Sequence, residues 1–161
     1  MAEPMPVFFN ELQLEFKPLY EWAFGEKIAH PESTARAEAI LAAVERDPAF
    51  SVREPVPLPD SALRPVHDHH LITLYETAAR LGEDETYHPN VFPKIKRGLG
   101  DPTNLNQAGA WCFDSGTPLS ARTLEAARWS AACAKDAARA VLKGAPVAYA
   151  LSRPPGHHAM K

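Results

Sequence analysis

The sequence predicts an α/β fold built on an open, mainly parallel sheet, and three observations lead to that prediction. Residues 7–9, Val-Phe-Phe, form a short β-prone apolar run near the start. Residues 146–151 form a second apolar run near the end, with too little polar alternation for a solvated sheet face. An Ala-rich helix over about residues 120–143 leads through Gly144 into that run. This order is typical of the second half of a crossover between parallel strands.

The other elements follow from their start and stop signals. Pro31 followed by Glu32-Ser33-Thr34 predicts a helix that continues to about Arg46 and is stopped by Asp47-Pro48. A second helix is expected over about residues 68–81, closed by Gly82, because apolar side chains recur there with helical spacing. Residues 12–27 are interpreted as loop with a helical turn. Residues 51–58 contain prolines and predict at most an edge strand.

Residues 83–108 form a loop much longer than the usual connection, because prolines, glycines and asparagines recur through them. Loops of this length are commonly lids, binding loops or interface arms. The sequence offers two convincing strands and one doubtful one, which is too few for an independent sheet domain. The final strand should be buried on both faces, yet no element follows to cover it. We therefore expect residues 1–161 to be the N-terminal portion of a single larger domain, incomplete and loosely packed when alone.

Composition excludes several classes of function. The 161 residues carry a net charge of −3, and charges of both signs are scattered along the chain. Nucleic acids and anionic membrane surfaces select clustered Lys and Arg, so neither is an expected partner. No apolar run approaches the roughly 18 residues of a membrane span, and the first residues lack the pattern of a secretion signal. Cys112 and Cys133 lack C-x-x-C spacing and fit reduced thiols in a cytoplasmic protein.

The candidate active-site segment is Arg153-Pro154-Pro155-Gly156-His157-His158, which follows the last predicted strand. Ligand sites of open α/β sheets lie beyond the carboxyl ends of strands. The prolines donate no N–H and end the strand pairing, and Gly156 is expected to permit a turn that other residues resist. Two adjacent imidazoles disfavour joint protonation, so one can remain a neutral base near pH 7. A surface loop that happens to carry two histidines is the alternative, and chemistry alone leaves both open.

Residues 153–159, R-P-P-G-H-H-A, resemble the signature of the histone deacetylase superfamily. Residues 91–93, V-F-P, are similar to the acetylpolyamine amidohydrolase branch, in which a loop of this kind shapes the substrate channel and the dimer interface. The resemblance covers nearly the whole chain, although residues 153–159 alone are specific. The weaker matches are residues 25–26, 36–41, 66–67, 75–79, 113–119 and 123–127.

The resemblance implies an arginase/deacetylase-like fold and a zinc-dependent amidohydrolase. In this interpretation Zn²⁺ polarises the acetyl carbonyl and activates the attacking water. His158 is the general base that deprotonates the water and then protonates the leaving amine, and His157 stabilises the intermediate electrostatically. Phe113, Asp114 and Gly156 are the expected substrate-binding residues. The complete protein is expected to form a homodimer and to take a small acetylated amine as substrate.

The chain departs from the family where the metal should bind. The zinc ligands of the family, an Asp-x-His pair and a later Asp, lie C-terminal to the tandem histidines, as does the tyrosine that stabilises the oxyanion. We therefore expect no ligand of that zinc in these 161 residues, and no catalysis by them alone. The substrate also stays open, because Asn104, Leu105 and Asn106 are neutral where a polyamine channel should be acidic. Only Asp101 and Asp114 are acidic nearby. The alternatives are an acetyl-lysine amidohydrolase and a non-catalytic truncated remnant.

A second histidine-rich stretch, His67-Asp68-His69-His70, has two interpretations. Adjacent side chains on a helix diverge by about 100°, so His69 and His70 are expected to be poor chelators of one metal ion. The favoured interpretation is a helix N-cap at Asp68 with two solvated histidines. We expect Trp111 to be a core aromatic rather than part of a substrate channel.

Overall fold

The computed structural model describes residues 3–90, 96, 98–112 and 115–156. Within these residues the chain forms two compact units. The sheet unit comprises residues 3–17, 32–58 and 125–155, and the loop unit comprises the described parts of 18–31, 59–124 and residue 156. The strands are β1 Met5–Phe8, β2 Tyr20–Ala23, β3 Glu26–Ala29, β4 Phe50–Arg53 and β5 Tyr149–Ala150; the helices are α1 Thr34–Arg46, α2 Asp60–Leu63, α3 His69–Ala78 and α4 Thr123–Leu142.

The sheet unit contains a three-stranded parallel sheet in the order β4-β1-β5. Strand β1 is central, with Val7 opposite Val52 on one side and Tyr149 on the other. Its alternating side chains supply two apolar layers, as a strand buried on both faces requires. Val7 and Phe9 pack with Ala37 and Val44 of α1, whereas Phe8 packs with Cys133 and Ala137 of α4. The predicted parallel α/β architecture is therefore confirmed.

The ends of several elements differ from the predictions. Helix α3 ends at Ala78 instead of Leu81, and α2 was not predicted. Strand β5 spans two residues of the predicted 146–151, and the Val147 side chain is half exposed. The strand lies at an edge of the sheet, which explains why the expected burial reaches only Leu151.

The sequence did not indicate the antiparallel hairpin of β2 and β3, most of which lies in the residues 12–27 that were interpreted as loop. Phe24 and Gly25 connect these strands with φ of 55° and 81°. Two positive φ angles in succession are the geometry of a type I′ hairpin turn. All four residues of β3 are exposed, and its two charged residues come before its two apolar ones, so it lacks the alternation that signals a strand.

The loop unit is organised around α3. Leu74 and Ala78 pack with Ala108, Cys112 and Leu119. A short 3₁₀ helix, Leu105–Ala110, begins within the predicted long loop, ends two residues beyond it, and contributes Ala108 to this core. Tyr87 pairs with Leu119 through two backbone hydrogen bonds of 2.8 and 2.7 Å. The described part of 83–108 therefore has its own packed structure, whereas residues 91–93 lie outside the described residues. Trp111 packs against this core, as predicted.

None of the helices in the described part of the chain is long and apolar enough to cross a membrane.

Candidate functional site

The described part of the candidate active-site segment ends at Gly156. His157 and His158, the predicted catalytic residues, lie outside the described residues, as do Phe113 and Asp114. The described residues of the segment, 153–156, form its root, which is the part where the chain leaves the sheet. The Leu151 N–H still donates to the Phe8 carbonyl at 3.0 Å, and no strand continues beyond Ala150 in the described residues.

Arg153 is the anchor of this root. Its side chain is 1% exposed, and its guanidinium binds the Glu32 carboxylate through two parallel hydrogen bonds of 2.9 and 2.8 Å. The same group donates to the carbonyl of Phe16 at 2.7 Å and to the carbonyl of Gln13. A guanidinium presents a rigid fork of donors, and these acceptors match it. Arg153 belongs to the motif that the sequence indicated, but the motif did not predict these contacts.

Gln13 holds the backbone next to Arg153. This fully buried side chain accepts the Arg153 backbone N–H at 2.8 Å and donates to the Leu151 carbonyl at 3.3 Å. It belongs to a 3₁₀ helix, Glu11–Glu15, which begins where the Asn10 side chain accepts the Leu12 N–H at 2.9 Å. Burial raises the pKa of the neighbouring Cys133 thiol to about 11, although its contact with Gln13 acts in the opposite direction. The root of the segment is thus fixed on both backbone and side chain.

The expected reason for Gly156 is not supported. Its φ is not in the left-handed region, and a Cβ added there would meet no described atom within 4 Å. The described backbone therefore places no demand for glycine at this position. The Arg153-Pro154 peptide bond is cis.

In the loop unit, the hairpin holds the chain just after Asp114. The Nε2 of His30 lies 3.1 Å from the Gly116 carbonyl oxygen, so Nε2 must carry the proton in that contact. The Tyr20 ring stacks on His88 with centroids 4.6 Å apart, and the Lys27 ammonium lies 3.7 Å from the centre of the same ring. Burial lowers the pKa of His88, and the Ser115 backbone acts in the opposite direction. Nothing in the sequence pattern indicated this cluster.

The N-terminus of α3 gathers three ligating side chains. Asp68 caps the helix, accepting the His70 N–H at 2.8 Å, as predicted. That hydrogen bond and the adjacent histidines lower the pKa of the Asp68 carboxyl. The expected divergence of His69 and His70 is wrong, because their ring centroids lie 3.8 Å apart. Both side chains turn toward the cap instead of following the helical spacing.

Within the described residues, no trio of metal-ligating side chains lies at the end of β5. Asp68, His69 and His70 form the one trio of His, Cys, Asp and Glu within those residues that is close enough to hold a metal ion. Neither cysteine forms a disulfide, and both are buried.

Comparison with known proteins identifies the family. The histone deacetylase domain model matches residues 30–161. An acetylpolyamine amidohydrolase of Burkholderia pseudomallei (strain 1710b) is 40% identical over 138 residues, which are 80% of this chain and 38% of that protein. The acetylpolyamine amidohydrolase of Mycoplana ramosa is 34% identical over 160 residues, covering 96% of this chain and 47% of that protein.

Solved structures agree with the fold. A crystal structure of acetylpolyamine aminohydrolase from Burkholderia pseudomallei matches 96% of this chain and 46% of its own, with a TM-score of 0.81 and 34% identity. The HDA15 HD domain matches at a TM-score of 0.63 and 24% identity, covering 98% of this chain and 37% of its own. The chain therefore spans less than half the length of these relatives. It belongs to the histone deacetylase domain family and corresponds to a portion of the length of these relatives.

Proposed function

We propose that the complete protein is a zinc-dependent deacetylase that hydrolyses the acetyl amide of acetylpolyamines or related acetyl-amines. The observation that carries the proposal is the 40% identity to an acetylpolyamine amidohydrolase over 80% of this chain. A structural match at a TM-score of 0.81 to an acetylpolyamine aminohydrolase supports it. In the same proposal the complete protein is a homodimer in the cytoplasm, and residues 83–108 shape its substrate channel and interface.

This chain contributes the tandem-histidine half of the proposed site. His158 accepts a proton from the attacking water and later donates it to the leaving amine, and His157 stabilises the negative charge that develops between those steps. Phe113, Asp114 and Gly156 contact the substrate. The Arg153 anchor supports these roles, because a proton-transfer group must be held to within a fraction of an ångström.

The zinc ligands of this proposal lie in the part of the relatives that this chain does not span. The described residues offer no suitable set at the strand end, so we derive no step through the metal from them. For the same reason the 161 residues alone are proposed to be inactive.

A second candidate is an acetyl-lysine amidohydrolase, favoured by the neutral character of residues 104–106. The Asn104 side chain is occupied in capping the 3₁₀ helix, where it accepts the Asn106 N–H at 3.1 Å. The Asp101 Oδ1 accepts two hydrogen bonds, one from the Thr103 N–H and one from the Thr103 hydroxyl. Within residues 101–106, Asp101 is therefore the one group whose charge could attract a polyamine ammonium. A non-catalytic remnant is the third alternative.

The test is steady-state hydrolysis of acetylputrescine and of an acetyl-lysine peptide by the complete, zinc-loaded protein. The ratio of kcat/KM for acetylputrescine to kcat/KM for the acetyl-lysine peptide shows which substrate the enzyme prefers. His158→Ala is expected to lower kcat by about 10²–10⁴-fold, which is the usual contribution of a general base. Its zinc content should stay unchanged, because His158 is proposed as a base and not as a ligand.

Two outcomes would contradict the proposal. Loss of zinc together with activity in His158→Ala would make that histidine a ligand. Absence of turnover on both substrates by the folded, zinc-loaded wild type would favour the non-catalytic alternative.

A further inference from the structure

We propose that Asp68, His69 and His70 form a binding site for a divalent transition-metal ion, with Zn²⁺ as the best-fitting class. The site uses none of the residues of the proposed hydrolysis and stands independently of that proposal. It rests on the positions of three ligand atoms, on the packing that holds them, and on the charge balance at the end of α3.

The three side chains already lie at coordination distances from one another. The Nδ1 atoms of His70 and His69 are 3.1 and 3.5 Å from the same Asp68 oxygen, Oδ1. Ligand atoms of the three residues all lie within 4.8 Å of one another. In a tetrahedral zinc site with bonds of about 2.0–2.1 Å, neighbouring ligand atoms are separated by about 3.3–3.4 Å. Small side-chain movements therefore suffice to close the site on an ion.

Packing holds two of the three ligands before any ion binds. Asp68 is fixed by its capping hydrogen bond from the His70 N–H. The His70 ring stacks against Trp111, with centroids 6.0 Å apart and planes at 30°. His69 is the most exposed of the three, with 77% of its side chain accessible, but its ring already lies against that of His70. Preorganised ligands lose less conformational entropy on binding, so affinity is higher than for free histidines.

A cleft beside this trio leaves room for further ligands. Its volume is about 680 Å³, and its lining includes Asp68, His69, Asp60, Glu76 and His67. Within the described part of the chain, the buried Nδ1 of His67 has no hydrogen-bond partner. Water or a carboxylate from this cleft can complete four-fold coordination, as in zinc sites with three protein ligands.

The electrostatics make Asp68 the decisive ligand. The N-terminus of a helix carries about half a positive charge, which opposes a cation. The Asp68 carboxylate offsets that charge, because it lies at the N-cap of the helix and accepts the His70 N–H there. Two neutral imidazoles and one carboxylate suit Zn²⁺, Co²⁺, Ni²⁺ and Cu²⁺ better than Mg²⁺, which prefers oxygen ligands.

The experiment compares metal binding by the complete protein and by two variants. Equilibrium dialysis against Zn²⁺ alone measures bound zinc, and Co²⁺ absorption spectra report the coordination geometry. The double variant His69→Ala/His70→Ala is expected to bind one equivalent less than the wild type. Asp68→Asn keeps a capping oxygen but loses the charge, and we expect about tenfold or greater weakening of this equivalent. Excess Mg²⁺ should not compete.

Thermal melts in the presence and absence of Zn²⁺ provide a second readout. A site that binds the native state alone raises the melting temperature with zinc concentration, and the double variant should lose that increment. Equal zinc content in the wild type and the folded double variant would overturn the proposal. Unchanged zinc affinity in Asp68→Asn would overturn it as well.

Discussion

The Arg153 anchor and the N-terminus of α3 both gather charged and polar side chains, but they do so in opposite environments. The Arg153 side chain is 1% exposed, and its donors meet carbonyl and carboxylate acceptors inside the sheet unit. At α3, 50% of Asp68 and 77% of His69 are accessible to solvent. Burial removes the competition of water and makes each lost partner costly, whereas exposed pairs contribute little to stability.

This difference separates two kinds of function. The buried anchor cannot be altered without disturbing the sheet, so it serves to hold the chain that leaves β5. The exposed cluster contributes little to the fold, so it is free to bind a ligand. Three experiments test this contrast.

The largest effect is expected for Glu32→Gln in the complete protein. The substitution keeps the shape of the side chain but leaves the buried Arg153 guanidinium without its counter-charge. Removing one partner of a buried ion pair typically costs about 3–5 kcal/mol. Urea denaturation, monitored by circular dichroism, measures the loss in the free energy of unfolding.

The matched control is Glu15→Gln. Glu15 pairs with Lys17 at 3.5 Å on the surface, where both side chains are about half exposed. We expect a change of about 0–1 kcal/mol. Equal losses for the two variants would show that the burial of the Arg153 pair has no energetic consequence.

The second effect concerns the Cys133 thiol, which belongs to the buried region. With its pKa raised from 9.0 to about 11, the thiolate fraction at pH 8 is about a hundredth of that of an unperturbed thiol. Iodoacetamide should therefore react at least about 100-fold more slowly with the native protein than with the urea-unfolded protein. The alkylation rate of the native protein should keep rising with pH up to about pH 11. Below that pH the protonated, unreactive thiol predominates.

A Cys112→Ala background isolates this signal, because Cys112 is the other cysteine of the sequence. Rapid alkylation of the native variant at pH 8 would contradict the buried, protonated state of Cys133.

The smallest effect is expected for the cap of α3. Asp68→Ala removes the acceptor for the His70 N–H and should lower the free energy of unfolding by about 1 kcal/mol. The Asp68→Asn variant keeps an oxygen that can accept the His70 N–H. It should lower the free energy of unfolding by about half as much as Asp68→Ala, or less. Thermal denaturation in metal-free buffer measures both. A loss of about 3 kcal/mol or more for Asp68→Ala would place the cluster in the same energetic class as the Arg153 anchor.

The sequence predicted the regular elements well where hydrophobic pattern and capping signals coincided. Ser33 and Asp47 bracket α1 close to the predicted ends, and Thr123–Leu142 lies within the predicted last helix. The hairpin of β2 and β3 escaped prediction because β3 is exposed over its whole length and lacks the alternation of a half-buried strand.

The candidate site was predicted only in part. Its motif identified the segment, and the predicted roles of His157, His158, Phe113 and Asp114 stay predictions. The helical spacing of His69 and His70 gave the wrong orientation, since the Asp68 cap and the Trp111 ring draw His70 away from the regular direction.

The sequence was sufficient to predict the parallel α/β class, the helices α1, α3 and α4, and the segment that carries the tandem histidines, because these depend on local periodicity and on contiguous residues. Only the tertiary structure decided that Arg153 is held by Glu32, Gln13 and Phe16, and that three side chains meet at the start of α3. The partners of Arg153 lie 121 to 140 positions away in the chain. Contacts at that separation depend on how the strands and helices pack, which no local pattern encodes.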